Sequence, residues 1–237
     1  VSKNRSSIES QARQARYKIF ERLLDENDQI LLAHHRDDVF ETMLLRLFRG
    51  TGVDGLSGLN KRRSLGKGEI IRPFLNLSKT DLKMYIDANH LTCVEDETNA
   101  NNDFDRNYLR NEIIPLLDKR WKKLSQRASF TSLTAKKKKL SLDFMLENNF
   151  KKQISTGIME RSDFLNVPPF LTEELIRLII RKKGIATPNQ KVLSEIMNVF
   201  FNKKPSNDSY VEWSRKDGEQ IGGKAFSEHN NIILQKK

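Results

Sequence analysis

Residues 28–42 read Asp-Gln-Ile-Leu-Leu-Ala-His-His-Arg-Asp-Asp-Val-Phe-Glu-Thr, and this stretch decides the fold of the first half. Residues 28–33 form a short apolar run, which is typical of a buried strand in a parallel sheet. From Asp37 to Arg49 the apolar residues recur at three- and four-residue steps, which predicts a helix. The stretch therefore predicts a strand that ends at two histidines and passes directly into a helix.

The flanking sequence extends this pattern into an α/β unit. Periodicity predicts a helix over 6–24, a charged hairpin or loop over 61–68 and a strand over 69–74. Ser78 and Asp81 resemble a capping box that opens a helix over 79–89, and a further helix is predicted over about 105–117. Strands that alternate with helices favour a parallel sheet, in which ligands bind at the carboxyl ends of the strands.

After residue 117 the pattern changes. We predict one long polar helix over 118–147, a helix capped by Thr172 and a helix that Thr187-Pro188 begins. Three strand-like runs follow at Tyr210–Arg215, Gln220–Phe226 and Asn231–Gln235. The predicted fold class is therefore α/β: a parallel-sheet domain over residues 1–117, followed by a smaller α+β domain over 118–237.

The charge of the chain is distributed unevenly. Residues 1–115 contain 18 basic and 18 acidic residues, whereas residues 116–237 contain 24 basic and 13 acidic residues and hold the whole net charge of +11. A basic half favours a polyanionic partner such as a nucleic acid, although a lysine-rich surface alone is the simpler interpretation.

Cysteine usage and hydropathy exclude several classes of protein. The single Cys93 excludes an internal disulfide and a four-cysteine zinc site. We expect no membrane association and a cytoplasmic location, because no run approaches the roughly 20 apolar residues of a membrane span. Tyr17, Trp121 and Trp213 are predicted to pack in the core or at its boundary.

The first candidate site combines His34 with Asp37, Asp38 and Glu41. The three acids share the first turns of the predicted helix, where the helix dipole favours negative charge. Simple capping of the helix is therefore one interpretation. The other is catalytic: Asp37 and Asp38 could hold Mg²⁺, one carboxylate could act as a general base, and a histidine could donate to a phosphate.

Two further groups of residues are candidates for binding. Arg46 and Arg49 lead into Gly50-Thr51-Gly52, whose backbone N–H groups could bind an anion, although glycine also commonly ends a helix. Arg106 and Arg110 lie one helical turn apart beside Asn107, and they could bind a phosphate or a carboxylate. The alternative for this second group is a solvated helix face.

Several stretches together resemble the tRNA(Ile)-lysidine synthases, a family of N-type ATP pyrophosphatases with a PP-loop. The resemblance is strong over residues 9–117 and diffuse over 118–237. The stretches that carry it are Leu32–Leu56, Glu9-x-x-Ala12-Arg13-x-x-Arg16-Tyr17, Arg72-Pro73-Phe74-Leu75-x-x-Ser78-Lys79, Glu95-Asp96-x-Thr98-Asn99 and Arg106-Asn107-x-x-Arg110-x-Glu112-Ile113-Ile114-Pro115.

The resemblance implies a carbon–nitrogen ligase that joins free L-lysine to the wobble cytidine of a CAU-anticodon isoleucine tRNA. ATP and Mg²⁺ are the implied cofactors, and a homodimer is a possible state. His34, Asp37, Asp38 and Glu41 would be catalytic, and Arg106, Asn107 and Arg110 would contact lysine or tRNA. The nucleotide would be bound by Arg13, Arg16, Arg46, Arg49, Gly50, Thr51 and Gly52.

One feature of the family is missing from this sequence. The family has a Ser-Gly-Gly-x-Asp-Ser phosphate loop near its N-terminus, and the printed residues contain no such segment. We therefore expect an internal fragment that is inactive by itself. Two alternatives stay open: another PP-loop enzyme that modifies tRNA, and a non-catalytic RNA-binding module. The lone Cys93 argues against the sulfur-transferring members, which generally use paired cysteines or an iron–sulfur cluster.

Overall fold

The computed structural model describes residues 5–94, 96–203, 205–206, 208–214 and 221–237, with side chains from residue 11 onward. The chain divides into two compact units, Val1–Leu140 and Ser141–Lys237. This division falls inside a long helix, and the domain boundary predicted between residues 117 and 118 stays a prediction. No helix in the described ranges has both the length and the apolar character needed to cross a membrane.

The first unit contains a three-stranded sheet and several helices. Strand β1 (Gln29–Leu31) is parallel to β3 (Gly68–Ile71), and β2 (Arg62–Leu65) is antiparallel to β3. In the parallel pair, Gln29 lies opposite Glu69 and Leu31 opposite Ile71. The sheet is therefore mixed, with one parallel pair. Its elements are α1 (Arg5–Leu23), β1 (Gln29–Leu31), α2 (Arg36–Phe48), α3 (Val53–Leu56), β2 (Arg62–Leu65), β3 (Gly68–Ile71) and α4 (Lys79–Ala88).

The remainder of the first unit is helical. After a 3-10 turn at Glu97–Ala100, α5 (Asp105–Tyr108) continues through a π-helical turn (Leu109–Ile113) into α6 (Ile114–Arg120). The predicted helix over 105–117 thus contains a π-helical turn. The polar helix predicted from residue 118 begins later, as α7 (Leu124–Asn149), because Trp121 is extended and Lys123 has a left-handed φ of 61°.

The second unit packs its helices on a four-stranded antiparallel sheet. The order of its strands is β4 (Ile158–Glu160), β7 (Asn231–Lys236), β6 (Gly223–Glu228) and β5 (Tyr210–Trp213). Leu175, Ile179 and Leu193 lie in its aliphatic core and are fully buried. Of the three predicted strand runs, the parts at Arg215 and Gln220 lie outside the described residues. The elements are α8 (Lys151–Thr156), β4 (Ile158–Glu160), α9 (Pro169–Lys182), α10 (Gln190–Met197), β5 (Tyr210–Trp213), β6 (Gly223–Glu228) and β7 (Asn231–Lys236), with a 3-10 turn at Arg161–Phe164 and a π-helical turn at Asn198–Asn202.

Two predicted helix starts in this unit are wrong. Thr172 is buried inside α9, which already begins at Pro169, because proline is well suited to the first turn of a helix. The next helix begins after Asn189, whose side-chain oxygen accepts a hydrogen bond from the Val192 backbone N–H at 2.9 Å. Asn189 provides the N-terminal cap there, two residues beyond Thr187.

Candidate active site

The candidate site begins where β1 leads into α2. Parallel strands bring their carboxyl ends to one edge of the sheet, and His34 and His35 follow β1 at that edge. His35 is the N-cap residue of α2. Asp38 completes the cap, because its Oδ2 accepts a hydrogen bond from the His35 backbone N–H at 2.8 Å. The capping interpretation therefore holds for this acid.

Asp38 has a second partner from a distant part of the chain. Nη2 of Arg106 lies 2.8 Å from Oδ1 of Asp38, and Nε of the same arginine donates to Oε2 of Glu41 at 2.7 Å. Arg110 donates from Nε to Oε1 of Glu41 at 2.6 Å and from Nη2 to Oε2 at 2.8 Å. The two acids and two arginines form a compact, charge-neutral network that connects α2 with the helix beginning at Asp105.

Burial makes this network strong. The Glu41 side chain is 2% exposed, and both arginines are about three-quarters buried. Hydrogen bonding to Glu41 is the main reason that the pKa of Arg110 is raised above its ordinary value. A buried ion pair of this kind is costly to break, because removal of one partner leaves the other charged in a medium that solvates it poorly.

Asp37 lies outside this network. Its Oδ2 accepts a hydrogen bond from the Lys79 backbone N–H at 2.7 Å, at the start of α4. Nδ1 of His35 lies 3.7 Å from the same oxygen. The Asp37 side chain is 31% exposed, and within the described part of the chain its Oδ1 has no hydrogen-bond partner. Asp37 is thus the most accessible carboxylate of the predicted acidic cluster.

His34 is neutral at physiological pH. Burial is the main factor that lowers its pKa from 6.5 to about 4; Asp38 opposes the change, and the charges of Arg72, Arg106 and Arg13 reinforce it. The Nδ1 atom of His34 is buried, with no hydrogen-bond partner in the described ranges. A neutral histidine can donate a hydrogen bond to a bound group or accept one from it, but it does not contribute a positive charge.

A basic group surrounds Tyr17, and the sequence interpretation found only its Arg13 and missed Arg63 and Arg72. Nη2 of Arg13 donates to the Tyr17 hydroxyl at 3.2 Å, and the Arg13 and Arg63 guanidinium carbons lie 4.9 Å and 5.1 Å from the centre of its ring. Arg72 is 4% exposed and donates to the Asn60 carbonyl at 2.9 Å. Burial lowers the pKa of Arg72, and its Nε has no partner within the described residues.

Arg72 could have been found from sequence by the reasoning that placed the histidines. It directly follows β3, the parallel neighbour of β1, so both strands deliver polar residues to the same edge. Of the two predicted arginines of α1, Arg13 joins this group. Arg16 is exposed and, within the part of the chain that the structure describes, makes no contact with the group.

The glycine-rich segment has a structural explanation in its own right. Arg46 donates to the carbonyls of Gly55 and Gly58 at 2.9 Å and 3.1 Å, so it fastens the loop that follows α2. Gly50 ends the helix with a φ of 71°, which favours glycine. The space beside Gly50 and Gly52 is open.

The remaining predicted residues of the loop and of the arginine helix also make local contacts. Arg49 pairs with Asp105 at 3.3 Å on the surface, and the Thr51 hydroxyl donates to the Gly52 carbonyl at 3.3 Å. Asn107 donates to the Thr98 and Asn101 carbonyls at 2.9 Å each and thereby holds the 3-10 turn. Their predicted binding roles stay predictions.

Metal binding by Asp37 and Asp38 also stays a prediction. Among the residues that the structure describes, no group of three or more His, Cys, Asp or Glu side chains is arranged to hold a metal ion. Both oxygens of Asp38 already have partners, whereas Asp37 keeps one oxygen for a hydrated cation.

Comparison with known proteins relates the first half of this chain to a class of domain. Residues 1–117 match a family model described as the PP-loop domain, a class of ATP-binding domain. Over these residues the chain is therefore similar to the PP-loop family, the resemblance that the sequence motifs predicted.

The chain as a whole is a relative of named tRNA(Ile)-lysidine synthases. It is 37% identical to the one from Coxiella burnetii over 233 residues and 31% identical to one from Legionella pneumophila over 234 residues; each match covers 96% of this chain and 52% of the relative. The Pseudomonas fluorescens enzyme is 46% identical over 116 residues, which cover 49% of this chain and 26% of the relative. The chain thus spans about half the length of the first two relatives.

Proposed function

We propose that this chain takes part in the ATP-dependent joining of lysine to the wobble cytidine of a CAU-anticodon isoleucine tRNA, the reaction of a carbon–nitrogen ligase. The observation that carries the proposal is the arrangement at the β1 edge: neutral His34, accessible Asp37 and the arginine-bound acids Asp38 and Glu41. It occurs in a chain related over 96% of its length to named lysidine synthases.

ATP would supply the adenylyl group that activates the cytosine O2 for displacement. The residues suited to its phosphates are cationic or hydrogen-bonding. Arg13, Arg63 and Arg72 concentrate positive charge around Tyr17, and the charges of Arg13 and Arg72 also act on neutral His34. Charge developing on a phosphate is stabilised best by donors that are already held in place, and the buried Arg72 meets that condition.

Asp37 is the residue we assign to the incoming lysine. The lysine ε-amine has an ordinary pKa near ~10.4 and must lose a proton before it attacks carbon. Oδ2 of Asp37 is held by the Lys79 backbone N–H, which leaves Oδ1 to accept that proton or to bind a hydrated Mg²⁺.

Asp38 and Glu41 act in this proposal as positioning residues. Each carboxylate is already bound by arginine, so the pair fixes α2 against the helix that carries Arg106 and Arg110. Nε and Nη2 of each arginine bond to these acids, which supports a role in holding the site.

The test is ATP-dependent incorporation of labelled lysine into isoleucine tRNA by the protein that contains this chain. Elongator methionine tRNA shares the CAU anticodon and is the negative control. We expect lysine transfer with AMP and pyrophosphate as products. Binding of the tRNA without AMP formation would overturn the proposal in favour of a non-catalytic RNA-binding module, which the basic second half of the chain also suits.

Substitution of Asp37 tests its assignment. We expect Asp37→Asn to lower kcat by about 10²–10⁴-fold with little change in the KM for lysine, because the carboxylate acts on a proton and not on binding. Asp87→Asn removes an exposed carboxylate from the end of α4 and serves as the matched control. Full activity of the Asp37→Asn enzyme would remove this residue from the reaction.

A further inference from the structure

An exposed tryptophan lies in a basic turn of the first unit. Trp121 ends α6 and is 50% exposed, whereas Trp213 of the second unit is 6% exposed. The prediction that both pack in the core or at its boundary is confirmed for Trp213, whereas half of the Trp121 side chain is open to solvent. The basic residues of this segment, here called the Trp121 turn, are all exposed: Lys119, Arg120, Lys122, Lys123 and Arg127.

Helix electrostatics account for only part of this charge. Lys119 and Arg120 lie in the last turn of α6, where the dipole favours cations. Lys122, Lys123 and Arg127 surround the start of α7, where the dipole disfavours them, and the first turn of α7 contains no acidic residue. None of the five cations forms an ion pair with a residue that the structure describes.

The backbone of the turn is also strained. Lys123 adopts a φ of 61°, a left-handed conformation that costs a lysine roughly 1 kcal/mol or more relative to an extended or helical one. Trp121 is extended at the end of α6, and the left-handed Lys123 directly precedes the first residue of α7. The turn therefore combines backbone strain, a half-exposed indole and three cations, Lys122, Lys123 and Arg127, that the helix dipole does not stabilise.

An unpaired nucleotide matches this chemistry. Exposed indole rings stack on the face of any base, and nearby lysine and arginine bind the flanking phosphates. A base inside a duplex is already stacked on its neighbours, so the turn suits a loop or single-stranded segment of RNA.

We infer that the Trp121 turn is a contact surface for an unpaired nucleotide of the tRNA. Trp121 stacks on the base, and Lys122, Lys123 and Arg127 bind the adjacent phosphates. The choice of tRNA as the partner rests on the proposed function, whereas the affinity of the turn for an unpaired, phosphate-linked base does not depend on it.

The two tryptophans provide a direct measurement. In a Trp213→Phe variant all tryptophan fluorescence comes from Trp121, and we expect isoleucine tRNA to quench it at saturation by about half or more, because stacking on a base brings the indole into contact with a quencher. Wild-type chain and Trp121→Phe provide the second comparison: the quench should be present in the first and absent in the second, so the result does not depend on the folding of the Trp213 variant.

Affinity measurements separate stacking from charge. We expect Trp121→Ala to weaken tRNA binding about tenfold and Trp121→Phe about twofold, because phenylalanine retains an aromatic face. Phe170→Ala, which removes an exposed aromatic ring from the second unit, should leave the affinity unchanged. Lys122→Gln should reduce the dependence of log Kd on log salt by about one.

The outcomes distinguish this inference from the proposed function. Lysine transfer without a tRNA-dependent change at Trp121 would overturn the inference and leave the proposed function intact. A Trp121 quench by tRNA without lysine transfer would support the inference alone. A blue shift of Trp121 emission with phosphatidylserine vesicles, and no response to RNA, would show a membrane contact and overturn the inference.

Discussion

The two compact units bury different kinds of side chain. Among the described residues, the buried charged side chains are Asp38, Glu41 and Arg72, and all three lie in the first unit. The second unit instead buries an aliphatic and aromatic core that includes Leu175, Ile179 and Phe200. The difference shows that the first unit buries charged side chains in part of its interior. Burial of a charge is costly unless the charge is paired, and buried charges are found where chemistry needs them at fixed positions.

This comparison predicts that a change in the buried network has the largest effect. Glu41→Gln leaves Asp38 as the one carboxylate of the network that faces Arg106 and Arg110. We therefore expect a loss of about 4 kcal/mol in the free energy of unfolding, together with the loss of lysine transfer. The measurement is urea unfolding followed by the fluorescence of Trp121 in a Trp213→Phe background.

Its matched control is the exposed ion pair on the same helix segment. Asp105→Asn removes the surface partner of Arg49 and should cost about 0–1 kcal/mol, because solvent screens that pair. Equal losses in the free energy of unfolding from Glu41→Gln and Asp105→Asn would contradict the proposed distinction between the buried network and surface charge.

A truncation in the second unit comes next in magnitude. Ile179→Ala removes a fully buried side chain from α9, and we expect a loss of about 3 kcal/mol in the free energy of unfolding. Urea unfolding followed by the fluorescence of Trp213 in a Trp121→Phe background reports on this unit. Ile158→Ala, at a partly exposed position of β4, is the control and should cost much less.

The smallest predicted effect concerns pH. The pKa of His34 is lower in the folded chain than the ordinary 6.5, so the unfolded chain binds a proton first as the pH falls. The stability that neutral His34 contributes is fully present above pH 6.5 and is lost between pH 6.5 and about 4. We expect a loss of about 1 kcal/mol after allowance for solvent screening of this partly exposed side chain.

The measurement compares the free energy of unfolding at pH 7 and pH 5. His34→Gln should be less sensitive to this pH change than the wild type by the stated amount, whereas His90→Asn, which removes an exposed histidine, should match the wild type. A wild-type pH dependence in His34→Gln would show that the sensitivity comes from other groups.

Local sequence patterns were sufficient for most of the fold near the site. The apolar run predicted β1, and the three- and four-residue period predicted α2, but β1 is mostly exposed and not the buried strand expected. The Ser78–Asp81 capping box is present with N–O distances of 3.0 Å and 2.7 Å. Turns were harder to predict. The π-helical turn at Leu109–Ile113 and the break at Lys123 depend on packing and on a left-handed backbone, which periodicity does not reveal.

By itself, the sequence determined the strand-to-helix segment, the excess of positive charge after residue 115 and the motifs of the PP-loop family, because these depend on neighbours along the chain. Only the tertiary structure decided the state of each site residue. Arg106 reaches Asp38 across 68 positions, and Arg72 reaches the same edge as His34 through the parallel pairing of β1 and β3. Charge pairing and burial depend on distances in space between residues that are far apart in sequence. These distances determine whether a carboxylate is bound by an arginine and whether a histidine is neutral.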